Sequence, residues 1–117
     1  MADLSVETIA SLRCRVARVS GEMDYQTDPW FRARFKELIA RGDRFFVLDL
    51  GGVSFCDSAG LNVLLGAWRQ ADASGAVLVL VLACVPETLR RILQMTGADQ
   101  VLRAFDTVVD AEAVFGA

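Results

Sequence analysis

Histidine is absent from the 117 residues of this chain, and lysine occurs once, at Lys36. The first absence removes imidazole general bases, Ser-His triads and His-ligated metal centres together. Cysteine is scarce and odd in number: Cys14, Cys56 and Cys84 show no paired spacing. That usage suits a reducing cytoplasm better than a disulfide framework. No apolar stretch is long enough for a bilayer; the longest, residues 76–85, is about half of what a crossing needs. Met1 to Ser5 carry neither a basic start nor an apolar run, so no secretory leader is expected. Charge of one sign is not in excess either. The 12 basic residues stand against 15 acidic ones, a net charge of −3, which argues against a dedicated nucleic-acid or anionic-membrane binder. The basic stretch from Arg32 to Arg44 is interrupted by Glu37 and Asp43 and reads as a solvated helix face.

What is present is apolar and regularly punctuated. With 54% hydrophobic and 23% charged residues, the chain has the composition and length of a single domain over residues 1–117. Leu12 to Val19 alternates charged and apolar residues, as a strand with one wet face does, and a weaker strand precedes it around Leu4 to Ile9. Gly21-Glu22-Met23-Asp24 reads as a loop. Asp28-Pro29 predicts a helix start, a capping carboxylate followed by a proline, with Phe31, Phe35 and Leu38 inward and Gly42 as the stop. Phe45 to Leu50 is a short apolar strand broken by Gly51-Gly52. A helix is expected from Ser58 to Ala73, with Leu61, Leu64, Leu65 and Trp68 at helical spacing. Gly75 closes this unit, and Ala76 to Leu82 has the unbroken apolar character of a strand covered on both faces. Pro86 opens a further helix to Met95, capped by Gly97; Val101 to Phe105 and Asp110 to Val114 read as a last strand and a last helix. Such alternation implies an α/β fold with about four to five strands and four helices, parallel in its C-terminal part and antiparallel at one edge.

Asp57-Ser58-Ala59-Gly60-Leu61 follows a strand and opens a helix. Ser58 therefore stands where unpaired backbone N–H groups and the positive end of the helix dipole favour a phosphate. Gly60 has no side chain, so another backbone or a ligand can approach closely. An equally simple reading makes Asp57 or Ser58 an N-cap.

The surrounding residues add a resemblance. Gly21-Glu22-Met23-Asp24, Val47-Leu48-Asp49-Leu50 and Val53-Ser54-Phe55-Cys56-Asp57-Ser58-Ala59-Gly60-Leu61, continuing through Val79 to Thr96, are together similar to the STAS domain of bacterial anti-sigma factor antagonists. The resemblance implies a STAS-like mixed sheet. It implies that Ser58 is phosphorylated by an anti-sigma factor that is itself a serine kinase, that the unphosphorylated form binds this kinase and frees a sigma factor, and that a phosphatase resets Ser58. It further places Asp24, Asp57, Ser58, Ala59, Gly60 and Asn62 on the partner-facing surface. Ala59 stands where Ser or Thr is frequent in that family, and Asn62 where a small glycine is common. The expectation is thus a cytoplasmic, non-enzymatic phosphoprotein of transcription regulation. It needs no cofactor or metal, touches no nucleic acid directly and does not insert into a membrane.

Three other readings compete with this one. Asp24, Asp49 and Asp57 suggest an acidic receiver-type site, but no lysine lies near where one is needed. Cys56 precedes an acidic neighbour that disfavours a thiolate, and Cys14 and Cys84, in predicted strands, read as buried structural residues. A STAS module can also be a non-switching interaction subunit of a transporter or signalling scaffold, in which case Ser58 is only a cap. Trp30 falls off the apolar stripe of its helix; it is either exposed to contact a partner or, as expected, partly buried against the neighbouring loop.

Overall fold

The computed structural model describes residues 4–10, 14–41, 44–73 and 79–114. Its strands are β1 (Ser5–Ala10), β2 (Arg15–Met23), β3 (Phe45–Cys56), β4 (Val79–Ala83) and β5 (Ala104–Phe105), and they lie in sequence order in one sheet. β1 runs antiparallel to β2, and every later pairing is parallel. The helices are α1 (Asp28–Ile39), α2 (Ser58–Ala73), α3 (Glu87–Thr96) and α4 (Val108–Ala113).

Parallel crossovers are right-handed as a rule, so a sheet built in sequence order takes its crossover helices on one face. The core follows that rule. Phe31 and Phe35 of α1, Leu61 and Leu64 of α2, and Leu89 and Leu93 of α3 form one cluster with Ala17, Val19, Phe46, Leu48 and Leu82. The intervening strand residues Val16, Val47, Val81 and Ala83 face the other way and are covered by Ala111 of α4. This two-residue alternation with both sides buried explains why β3 and β4 read as continuous apolar runs.

Several expectations are corrected in detail. Gly21, Glu22 and Met23 belong to β2 rather than to a loop, and Gly51-Gly52 do not break β3, which continues to Cys56. Their backbones pair with each other, Ser20 with Gly52 and Gly21 with Val53. Asp28 does not cap α1; its carboxylate reaches forward to Arg32, with Nε to Oδ1 at 2.9 Å and Nη2 to Oδ2 at 3.2 Å. Those hydrogen bonds, and secondarily the charge, hold the Asp28 carboxyl below its ordinary range. Pro29 does occupy the first turn, and Gly97 caps α3 with φ +76°. Where a strand was expected from Val101, a 3-10 turn over Ala98–Gln100 instead buries Leu102 completely, leaving only Ala104–Phe105 for β5. α4 begins earlier than Asp110 because the Thr107 hydroxyl accepts the Asp110 N–H at 3.0 Å. Cys14 is buried just before β2, and Cys84 is half-buried just beyond β4 with φ 56°, so neither lies in a strand. Gly42, Gly75 and the first residues of the expected strand 76–82 lie outside the described residues.

Candidate functional site

The C-terminal ends of β2 and β3 meet at a single edge. Met23 pairs with Cys56, and the Asp57 N–H donates to the Met23 carbonyl at 3.3 Å. A Cβ on Gly60 would stand 2.5 Å from that carbonyl oxygen and 2.6 Å from Cys56 Sγ. Only glycine lets the first turn of α2 rest directly on the end of β2. The close approach anticipated at Gly60 is therefore internal, and Gly60 is buried. Since Asp24 follows Met23, this packing brings the β2–α1 turn beside the start of α2.

Asp57 is the N-cap of α2. Its Oδ1 accepts the N–H groups of Ala59 (2.9 Å) and Gly60 (3.1 Å), and its carbonyl accepts from Leu61 at 2.9 Å. Ser58 is the first helical residue and is exposed, and among the described residues its hydroxyl has no hydrogen-bond partner. Asn62, one turn on and exposed, stands on the same helix face as Ser58. Ala59, between Ser58 and Gly60 in sequence, is half-buried.

Asp24 also caps. Its Oδ1 accepts from the N–H groups of Gln26 (2.9 Å) and Thr27 (3.0 Å), while its own N–H donates to Thr27 Oγ1 at 3.0 Å. The Thr27 hydroxyl donates in turn to the Glu22 carbonyl at 2.8 Å. This reciprocal Asp24–Thr27 arrangement closes as a capping box does, but the carboxylate leads and the hydroxyl follows, the reverse of the usual Ser/Thr-x-x-Glu order, so that sequence signature does not mark it. Tyr25 (73% exposed) and Phe55 (51% exposed) flank the site without having been anticipated. Nothing in an apolar run marks Phe55 for exposure.

The three carboxylates of the receiver-type reading do not converge. Asp49 faces the α4 side of the sheet, where Arg18 Nε lies 3.5 Å from Oδ2 and the Gly51 N–H donates to Oδ1 at 3.0 Å. Among the described residues no three His, Cys, Asp or Glu side chains are grouped to hold a metal ion. Burial, assisted by the Asp57 charge, pushes the Cys56 thiol up to about 12, which makes it a poor nucleophile. Trp30 is exposed rather than partly buried as expected, edge-on to Phe31 at 5.0 Å with the Arg34 guanidinium 5.9 Å from its ring.

A mixed sheet in this order, with a serine presented at the start of α2 beside a capped β2–α1 turn, is the architecture of a STAS domain. The STAS domain family model matches residues 5–111, and the chain belongs to that family. An anti-sigma F factor antagonist of Paenibacillus polymyxa is 31% identical over 97 residues, 82% of this chain and 81% of that one. The anti-sigma-F factor antagonist RsfB of Mycobacterium tuberculosis is 29% identical over 96 residues, covering 82% of this chain and 76% of its own. Among solved structures, an anti-sigma factor antagonist from Mycobacterium paratuberculosis superposes with a TM-score of 0.86 at 24% identity, over 97% of this chain and 94% of the other. A sulfate transporter family protein from Wolinella succinogenes shares the fold at a TM-score of 0.74 and 20% identity, over 91% and 87% of the two chains. Among the described residues, no helix is long and apolar enough to cross a membrane.

Proposed function

We propose that this chain is an anti-sigma factor antagonist, a cytoplasmic non-enzymatic module that works by partner switching. Its unphosphorylated form binds an anti-sigma factor serine kinase and so releases a sigma factor. The kinase phosphorylates Ser58 and ends the association, and a phosphatase restores it. The observation that carries this reading is the division of labour at the start of α2. Asp57 takes the capping bonds, so the exposed Ser58 hydroxyl is spare for chemistry. The names of the relatives support the same role.

The charge arithmetic supports release on phosphorylation. Phosphate adds about −1.5 to −2 charges at neutral pH. It would stand beside Asp57, whose Oδ1 already occupies the N–H groups of Ala59 and Gly60, so part of the helix terminus that would welcome an anion is taken. Glu22 and Asp24 lie on the adjoining strand end and turn. An interface closed over Ser58 must desolvate the added charge without gaining those donors, which favours separation. Asp24, Asp57, Ala59 and Asn62 shape the surface the kinase meets, and the buried Gly60 seats the helix that carries it.

The test is incubation with a cognate anti-sigma factor kinase and ATP, followed by mapping of the phosphopeptide. Label confined to Ser58, and a Ser58→Ala protein that stays bound in the presence of ATP, are the expected results. Label at Ser54 or Thr96 in that variant would move the acceptor. Equal partner affinity of the native, Ser58→Ala and Ser58→Glu proteins would make this a fixed interaction subunit.

A further inference from the structure

From Leu50 onward β3 buries every third side chain: Leu50, Val53 and Cys56 enter the core, while Gly51, Gly52, Ser54 and Phe55 are exposed. A regular strand alternates in twos, so this spacing needs an extra residue at each step. The pairing with β2 supplies both. Arg18 is opposite Asp49 and Ser20 opposite Gly52, so β2 advances two residues while β3 advances three. A second bulge separates Gly21–Val53 from Glu22–Phe55.

A bulge takes a backbone N–H off the ladder, and a partner must be found for it. At the first bulge that partner is Asp49, whose Oδ1 accepts the Gly51 N–H at 3.0 Å while Arg18 on β2 stands 3.5 Å from Oδ2. Asp49 is 8% exposed and is the one buried charged side chain among the described residues. β4 gives no help beyond this point, because its pairing with β3 ends at Asp49–Ala83. The phase of β3 between Asp49 and Ser58 therefore depends on β2 and on this pinned bulge. A slip of one residue would exchange inward and outward faces. Val53 and Cys56 would leave the core, and the Asp57 N–H would lose the Met23 carbonyl.

We infer that Asp49 is a positioning residue for Ser58: by holding the Gly51 N–H it sets the strand phase that delivers Asp57 to its cap and Ser58 to the surface. The inference rests on the reading of Ser58 as the phosphoacceptor. The test compares Asp49→Asn, which keeps an oxygen for Gly51, with Asp49→Ala, which does not. Leu93→Ala, in α3 and with no part in the backbone pairing of β2 with β3, serves as a control for plain destabilisation. At a temperature where all are folded, Asp49→Asn should be phosphorylated at Ser58 with a kcat within about twofold of native. Asp49→Ala should lose about tenfold or more in kcat, because small displacements of a reacting atom are costly in rate. Its amide resonances at Ala59 and Gly60 should shift, whereas Leu93→Ala should alter neither the rate nor those resonances. If the alanine variant does not fold, Asp49→Leu fills the space with apolar surface and still lacks the acceptor. Native rate and unshifted Ala59 and Gly60 amides in the acceptor-less variant would overturn the inference. If no kinase labels the native protein, the functional reading fails, and the amide resonances alone decide the positioning role.

Discussion

Asp57 accepts two backbone N–H groups through one oxygen, so its replacement should cost stability that replacement of Ser58 does not. Asp57→Ala is expected to lower the unfolding free energy by about 0.5–2 kcal/mol. Ser58→Ala should stay within about 0.5 kcal/mol of native, as exposed substitutions usually do. Denaturant titration of the two variants checks the order, and the reverse order would assign the cap to Ser58. Asp24 caps its own turn through Gln26 and Thr27 and belongs to the partner surface proposed above. In Asp24→Asn the amide oxygen can still accept from Gln26 and Thr27, so melting should be unchanged while the complex weakens through the lost charge. Asp24→Ala should also lose stability, again by about 0.5–2 kcal/mol. Thermal unfolding and titration calorimetry separate the two effects; unchanged affinity in both variants would leave Asp24 a cap only. Cys56 yields a pH prediction. Burial, with the Asp57 charge, pushes its folded thiol up to about 12 from the ordinary 9.0. The folded state thus holds its proton longer. The associated stability is complete below the unfolded value and declines as pH rises toward about 12. Urea midpoints measured from neutral to alkaline pH should fall less steeply in Cys56→Ala than in the native protein.

At the scale of elements, the seating of α2 on β2 is set at Gly60. Gly60→Ala would drive a methyl against Cys56 Sγ and the Met23 carbonyl, and the carbonyl, as backbone paired in the sheet, cannot rotate away. A loss of about 1–3 kcal/mol is expected from such overpacking. Gly66→Ala lies in the same helix, but its Cβ would meet only the tip of Arg32 at 3.0 Å. That side chain can shift, and alanine gains about 1 kcal/mol over glycine inside a helix, so this variant should be neutral or stabilised. Melting temperatures of the pair decide whether the constraint belongs to Gly60 or to glycine in α2 generally. The elements also show where periodicity stops being readable. Leu61, Leu64 and Trp68 marked α2 correctly because helical spacing is local. In β3 the Gly51-Gly52 pair reads as a break, and the strand beyond it is hidden because two bulges replace alternation by a spacing of three, and a bulge is defined only against the partner strand. Likewise Leu102 looked like part of a strand, but a 3-10 turn spends it on filling the core.

On the scale of the molecule, one edge of the sheet gathers the turn after β2 and the start of α2, while the two buried faces hold that edge still. Replacing Ser58 by Glu puts one charge where phosphate puts about two, so partner affinity should fall by about 1–3 kcal/mol, an imperfect imitation. Circular dichroism of the same variant should remain native, because the change is at an exposed position. The amino-acid order alone determined the α/β class, the antiparallel edge, the helix at Ser58 and the polar segment that opens it. Each depends on residues near in sequence: apolar periodicity, proline and glycine at helix ends, and a strand running into a polar turn. Tertiary structure decided which carboxylate does what. Asp24, Asp28, Asp49 and Asp57 are alike as letters, yet one caps a turn, one pairs with an arginine four residues on, one pins a bulge and one caps α2. A carboxylate takes its role from the N–H groups and cations that face it, and strand register and helix seating bring the decisive ones there.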